Sequence, residues 1–112
     1  MKDMSDVTYL RAILATVARQ TFPPSTLRDL IAPAGGGGDK QIRAYNLCDG
    51  TRTQGEIAKE TGLDSGNFSR SLNRWVDHGI VIRVGEGRDV RPVHVYPLPE
   101  AAAKKGKASN GQ

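Results

Sequence analysis

Up to residue 78, apolar residues recur at steps of three and four, the spacing of helices with one buried face. Over residues 5–20 this spacing predicts a first helix, which the prolines of the following Thr-Phe-Pro-Pro segment end. Its apolar stripe consists of Val7, Leu10, Ile13, Leu14 and Val17. Shorter stripes predict four further helices, over residues 25–32, 39–48, 53–61 and 65–78.

Beyond Gly79 the apolar pattern changes from a helical to a β-like period. Residues 80–84 and 92–96 are strand candidates, and the glycine-containing residues 85–89 between them predict a turn or loop. His94 lies in the returning strand, where surface exposure and packing within the hairpin are both open. The pattern therefore predicts a mainly α fold that ends in a small β-hairpin.

Composition divides the chain into four parts. Residues 1–34 form an N-terminal helical segment, and the four consecutive glycines at 35–38 predict a linker. Residues 39–98 hold the remaining helices and the hairpin as one domain. Residues 99–112 are rich in Ala, Lys and Gly and predict a disordered basic tail.

The segment around residues 53–64 carries the start and stop signals of two consecutive helices. Thr53 and Glu56 have the spacing of a capping box, which sets where the first helix begins. Ala58 is small enough for a second helix to cross closely, and Gly62 suits a tight turn that needs a positive φ. Asp64 is well placed to cap the next helix. We therefore expect two short helices joined by a defined corner.

The helix over residues 65–78 has two contrasting faces. Phe68, Leu72, Trp75 and Val76 form one apolar stripe, which predicts Trp75 as a core residue rather than a stacking platform. The opposite face has no Glu or Lys and carries side chains able to hydrogen-bond to bases or phosphates. These are Ser65, Asn67, Ser69, Arg70, Asn73 and Arg74.

These features carry a family resemblance. Residues 54–73 resemble a helix-turn-helix unit, with Ala58 in the first helix, Gly62 four residues later and Phe68 six after that. With the preceding helix and the hairpin, about residues 39–97 resemble a winged helix-turn-helix of the MarR-like or ArsR-like kind. Residues 1–38 would be additional N-terminal helices.

The resemblance implies that the helix over residues 65–78 enters the major groove of DNA and that the hairpin wing touches the flanking minor groove or backbone. Asn side chains suit bidentate contact with adenine, and Arg side chains suit guanine or phosphate. The implied base-reading residues are Ser65, Asn67, Ser69, Arg70, Asn73 and Arg74. The implied phosphate and wing contacts are Thr53, Gln54, Arg83, Arg88 and Arg91.

Charge and chemistry narrow the class of function. The formal net charge is +4, but about half of the excess lies from residue 100 onward, so the body of the chain is only mildly basic. Cys48 is the single cysteine and is predicted to be a buried apolar residue, and two distant histidines predict no metal site. No converging catalytic set is visible, so we expect no enzyme activity and no cofactor. Without a signal peptide or an apolar run of membrane length, a cytoplasmic, nucleoid-associated protein is expected.

The sequence thus predicts a sequence-specific double-stranded DNA-binding regulator, most simply a repressor. Family members of this kind often dimerise through added terminal helices, so we expect a homodimer that uses Val7, Leu10, Leu14 and Val17. The alternative is that the first helix packs back on its own domain. A second function also stays open, in which the winged helix is a protein-interaction module without specific DNA binding.

Overall fold

The computed structural model describes residues 4–33 and 38–99, and the side chains from residue 8 onward within them. Five helices are followed by a two-stranded hairpin: α1 (Met4–Thr21), α2 (Pro24–Ile31), α3 (Gly38–Asn46), α4 (Gln54–Thr61), α5 (Ser65–His78), β1 (Val81–Val84) and β2 (Arg91–His94). This confirms the mainly helical fold with a hairpin wing. The predicted linker glycines 35–37 and the tail beyond residue 99 lie outside the described residues, whereas Gly38 begins α3.

The wing is an antiparallel hairpin in which Val81 pairs with His94 and Val84 with Arg91. An isolated bridge between Asp49 and Val93 joins the α3–α4 connection to the outer side of β2. The second strand ends at His94, two residues earlier than predicted. Beyond it the chain turns into the core, where the Tyr45 hydroxyl donates to the Tyr96 carbonyl at 2.6 Å.

The core lies where α2, α3, α4 and α5 meet the base of the wing. Trp75 is fully buried and makes edge-to-face contacts with the rings of Tyr45 and Phe68, with centroids 5.7 and 5.9 Å apart. This geometry is favourable for aromatic pairs. The burial confirms the prediction that Trp75 is a core residue.

Helix α2 is built into this core rather than lying apart from it. Its side chains Leu27 and Ile31 are fully buried. The Ile31 carbonyl at the end of α2 accepts a hydrogen bond from the Trp75 indole at 3.3 Å and a longer one from Arg74 at 3.4 Å. Because the last carbonyls of a helix have no partner within the helix, these two bonds tie the end of α2 to α5.

Helix α1 packs on the domain through one face and exposes apolar side chains on the other. Ala18 is buried, and Leu14 and Ala15 are partly buried against the core. At the two ends of this face, Arg11 donates to the Asp49 carbonyl at 3.1 Å and the Arg19 guanidinium lies 4.8 Å from the centre of the Tyr96 ring. No helix in the described part of the chain is long and apolar enough to cross a membrane.

Candidate nucleic-acid interface

The corner between α4 and α5 is fixed by three local devices. In the capping box, the Thr53 hydroxyl accepts from the Glu56 amide at 3.3 Å, and the Glu56 carboxylate accepts from the Thr53 amide at 2.8 Å. Gly62 ends α4 in the left-handed conformation, with φ of 76°. The Asp64 carboxylate then accepts from the Asn67 amide at 3.0 Å and caps α5. All three features confirm what the sequence predicts for this segment.

The corner and the core together fix the orientation of α5. Phe68, Leu72 and Trp75 are buried on its inner face, so the helix cannot rotate without exposing large apolar side chains. The polar face therefore points outward. Ser65, Asn67, Arg70 and Asn73 are exposed, and Ser69 is half-buried.

Two arginine–asparagine pairs organise this outward face. Arg70 donates to the side-chain carbonyl of Asn67, one turn earlier on α5. Arg83, on β1 of the wing, donates to the side-chain carbonyl of Asn73 at 2.5 Å. The second pair links the wing to α5, so the two elements present one continuous polar surface.

A cleft of about 300 Å³ opens beside this surface, between the start of α4, α5 and the wing. Its walls include Gln54, Gly55, Leu72, Arg83 and Arg88. The first amides of a helix have no carbonyl partner within it, and the capping box satisfies those of Thr53 and Glu56 only. The amides of Gln54 and Gly55 are therefore left at the positive end of the helix dipole, next to two arginines.

Three further predicted contacts, like the two arginine–asparagine pairs, have partners within the protein. Arg74 is half-buried and donates to the Ile31 carbonyl, and its Nε is buried without a hydrogen-bond partner. Arg91 forms an ion pair with Asp89 at 3.0 Å and also donates to the Thr51 carbonyl at 3.2 Å. The Thr53 amide is taken up by Glu56. The structure thus groups most of the predicted set around the α5 face and the cleft: Ser65, Asn67, Arg70, Asn73, Thr53, Gln54, Arg83 and Arg88.

Sequence reasoning missed two sets of residues. Gly55 lines the cleft, and only its place in the first turn after a capping box signals a free amide. On α1, the predicted dimer interface omitted Tyr9 and Ile13, which are 66% and 60% exposed, although Ile13 is in the predicted apolar stripe. Leu14, which is in the predicted interface, is packed against the core. The side chain of Val7 lies outside the described part.

Burial keeps two titratable side chains at the base of the wing, Cys48 and His94, in their uncharged forms. Burial raises the pKa of the Cys48 thiol to about 12, which keeps it in the thiol form. Burial also lowers the pKa of His94, and the nearby Arg11 lowers it further. Among the described residues, no three His, Cys, Asp or Glu side chains come together in a way that would hold a metal ion.

Comparison with known proteins identifies the segment that holds this surface. Residues 45–91, less than half of the chain, match the model of the MarR family. No curated protein and no solved structure matches the chain at a significant level. The matched segment runs from the end of α3 through the α4–α5 corner to the start of β2. Over these residues the chain forms a winged helix-turn-helix and is similar to the MarR family of transcriptional regulators.

Proposed function

We propose that the protein binds specific double-stranded DNA sites as a homodimer and represses transcription by occupying them. The observation that carries this proposal is the exposed, hydrogen-bonding face of α5, held in a fixed orientation beside a cleft lined by helix amides and arginines. A helix of this width fits the major groove of B-form DNA, where base edges present distinct patterns of donors and acceptors.

In this proposal α5 reads base edges through its exposed residues Asn67, Arg70 and Asn73, with Ser65 and Ser69 beside them. The cleft takes a backbone phosphate, which the Gln54 and Gly55 amides and the guanidinium of Arg88 would contact. Arg74 and Arg91 act within the protein, where they brace α5 and the wing.

The proposal of a dimer rests on the exposed apolar side chains on the outer face of α1. Tyr9, Leu10, Ile13 and Val17 are all more than half exposed and lie at helical spacing on one side. A stripe of large apolar side chains in water is costly unless another surface covers it. A second copy of α1 is the occupant we propose, because two identical stripes are self-complementary about a two-fold axis. Two α5 helices would then read two half-sites.

Light scattering tests the dimer. The wild-type chain should have twice the monomer mass at micromolar concentration, and Leu10→Glu together with Ile13→Glu should give a folded monomer. Ala12→Glu is the matched control, because Ala12 is exposed on α1 outside the stripe. A monomeric wild-type chain would rule out this interface.

Fluorescence anisotropy with duplex DNA tests the DNA-binding role. Asn67→Ala combined with Arg70→Ala should weaken binding to a selected site at least tenfold, at unchanged circular dichroism. Arg88→Ala should weaken binding to all sequences alike and lower the slope of log affinity against log salt by about one. Arg28→Ala removes the same charge from the exposed side of α2 and should leave binding unchanged. Equally poor binding by the wild type and the double variant would favour the protein-interaction module instead.

Repression has its own test. With a selected site placed across a promoter, adding the protein should reduce transcription in a purified system in proportion to the occupancy of the site. An increase in transcript would show that the protein activates instead.

A further inference from the structure

Both asparagine side chains of the α5 face already use their carbonyl oxygens within the protein. The side-chain carbonyl of Asn67 accepts from Arg70, and that of Asn73 accepts from Arg83. The Asp64 carboxylate near the start of the face accepts from the Asn67 amide. What the two pairs present outward is therefore the NH₂ groups of both asparagines and the remaining N–H groups of both arginines.

We infer that this surface selects guanine over adenine at the base pairs that it contacts, an inference that rests on the proposed DNA-binding function. Guanine presents two acceptors in the major groove, N7 and O6, whereas adenine presents one acceptor, N7, and one donor, the N6 amino group. The donors that the two arginine–asparagine pairs present match guanine at both atoms. Toward adenine it satisfies N7 and sets a second donor against the amino group.

The arginines also prevent the asparagines from reading adenine in the usual way. Bidentate recognition of adenine needs the Asn carbonyl to accept from N6 while the Asn amide donates to N7. Each carbonyl here lies next to a guanidinium, whose positive charge repels the hydrogen atoms of a further donor. The arginines occupy the carbonyls of Asn67 and Asn73 and leave only their NH₂ groups free to contact a base. In this way the two asparagines determine specificity.

Removing one arginine should therefore reverse the preference at one base pair. In Arg70→Ala the Asn67 carbonyl loses its partner and Asn67 regains one donor and one acceptor for adenine. The double variant Arg70→Ala, Asn67→Ala is the matched control, because it lacks both the arginine and the freed amide. Arg28→Ala, which leaves both pairs intact, should behave as the wild type.

Bound sequences are selected from random duplexes with the full chain. Every base pair of the selected site is then replaced in turn, G·C by A·T and A·T by G·C. At the base pair whose effect disappears in the double variant, the wild type should bind guanine about tenfold more tightly than adenine. Arg70→Ala should bind adenine more tightly than guanine there, and the double variant should bind both alike.

Other outcomes would contradict either the inference alone or the proposed DNA-binding function as well. A selected site with A·T at that base pair, or an Arg70→Ala variant with no gain for adenine over the double variant, overturns the inference but leaves DNA binding in place. If no duplex is enriched and none is bound at low salt, both the inference and the proposed function fail.

Discussion

His94 occupies the junction between the wing, α3 and α1. Its side chain is buried, and its ring lies 5.3 Å from that of Tyr45 at a tilt of 32°. None of the described residues hydrogen-bonds to its Nδ1. Burial is the main reason that the pKa of His94 is lowered, and the nearby Arg11 adds to this effect. Hydrogen bonding to the backbone and the charge of Asp49 favour the protonated form, but they do not offset burial. The folded protein therefore holds this imidazole neutral.

The lowered pKa of His94 predicts that stability falls in mildly acidic solution. The unfolded chain takes up a proton near pH 6.5, whereas the folded chain resists it until a lower pH. Stability from this group is thus complete above about pH 6.5 and is lost progressively as the pH falls toward the folded pKa. Urea denaturation at pH 7.5 and 5.5 should show a lower midpoint at pH 5.5.

The control for this prediction keeps the ring contact and removes the titration. In His94→Phe, which preserves an aromatic ring against Tyr45, the difference between the two midpoints should shrink. An unchanged difference in His94→Phe would show that other groups cause the pH dependence.

At the scale of elements, the corner between α4 and α5 depends on one glycine conformation. Gly62 has a φ of 76°. A Cβ added at this position would have the Lys40 Nζ atom as its nearest neighbour, at 3.9 Å. Gly62→Ala therefore tests backbone strain alone, without a steric clash. It should lower the free energy of unfolding by about 1 kcal/mol, the cost of holding a residue with a Cβ in the left-handed region.

Gly55 offers the opposite case in the same helix. Its added Cβ would meet nothing within 4 Å, and the residue is helical, so Gly55→Ala should be neutral or raise stability by about 0.5 kcal/mol. Chemical denaturation of both variants measures the contrast. Equal effects of the two substitutions would mean that the left-handed turn contributes nothing to the fold.

At the scale of the whole molecule, the sequence predicted the elements that local rules control. The capping box, the left-handed Gly62 and the apolar stripe with Trp75 are all encoded within a few residues of each other. The pairing of each outward side chain was not predictable, because Arg83 meets Asn73 only after the wing folds back on α5. The apolar stripe of α1 likewise does not reveal which half meets the core, since both sides carry aliphatic residues.

We therefore expect the two N-terminal helices to differ in role, α2 as part of the core and α1 as the proposed dimer interface. One leucine on each helix tests this difference. Leu27 on α2 is fully buried, whereas Leu10 on α1 is 66% exposed. Leu27→Ala removes the same atoms from the core that Leu10→Ala removes from the surface. Leu27→Ala should lower the free energy of unfolding by about 3 kcal/mol at every protein concentration, because it leaves a cavity in the core. Leu10→Ala should cost little when the protein is dilute, and more at concentrations where the proposed dimer would form, because in that dimer only the partner would cover the side chain. Denaturation of both variants over a hundredfold range of protein concentration distinguishes the two roles. If the loss of stability in Leu10→Ala does not vary with concentration, α1 belongs wholly to the fold of one chain.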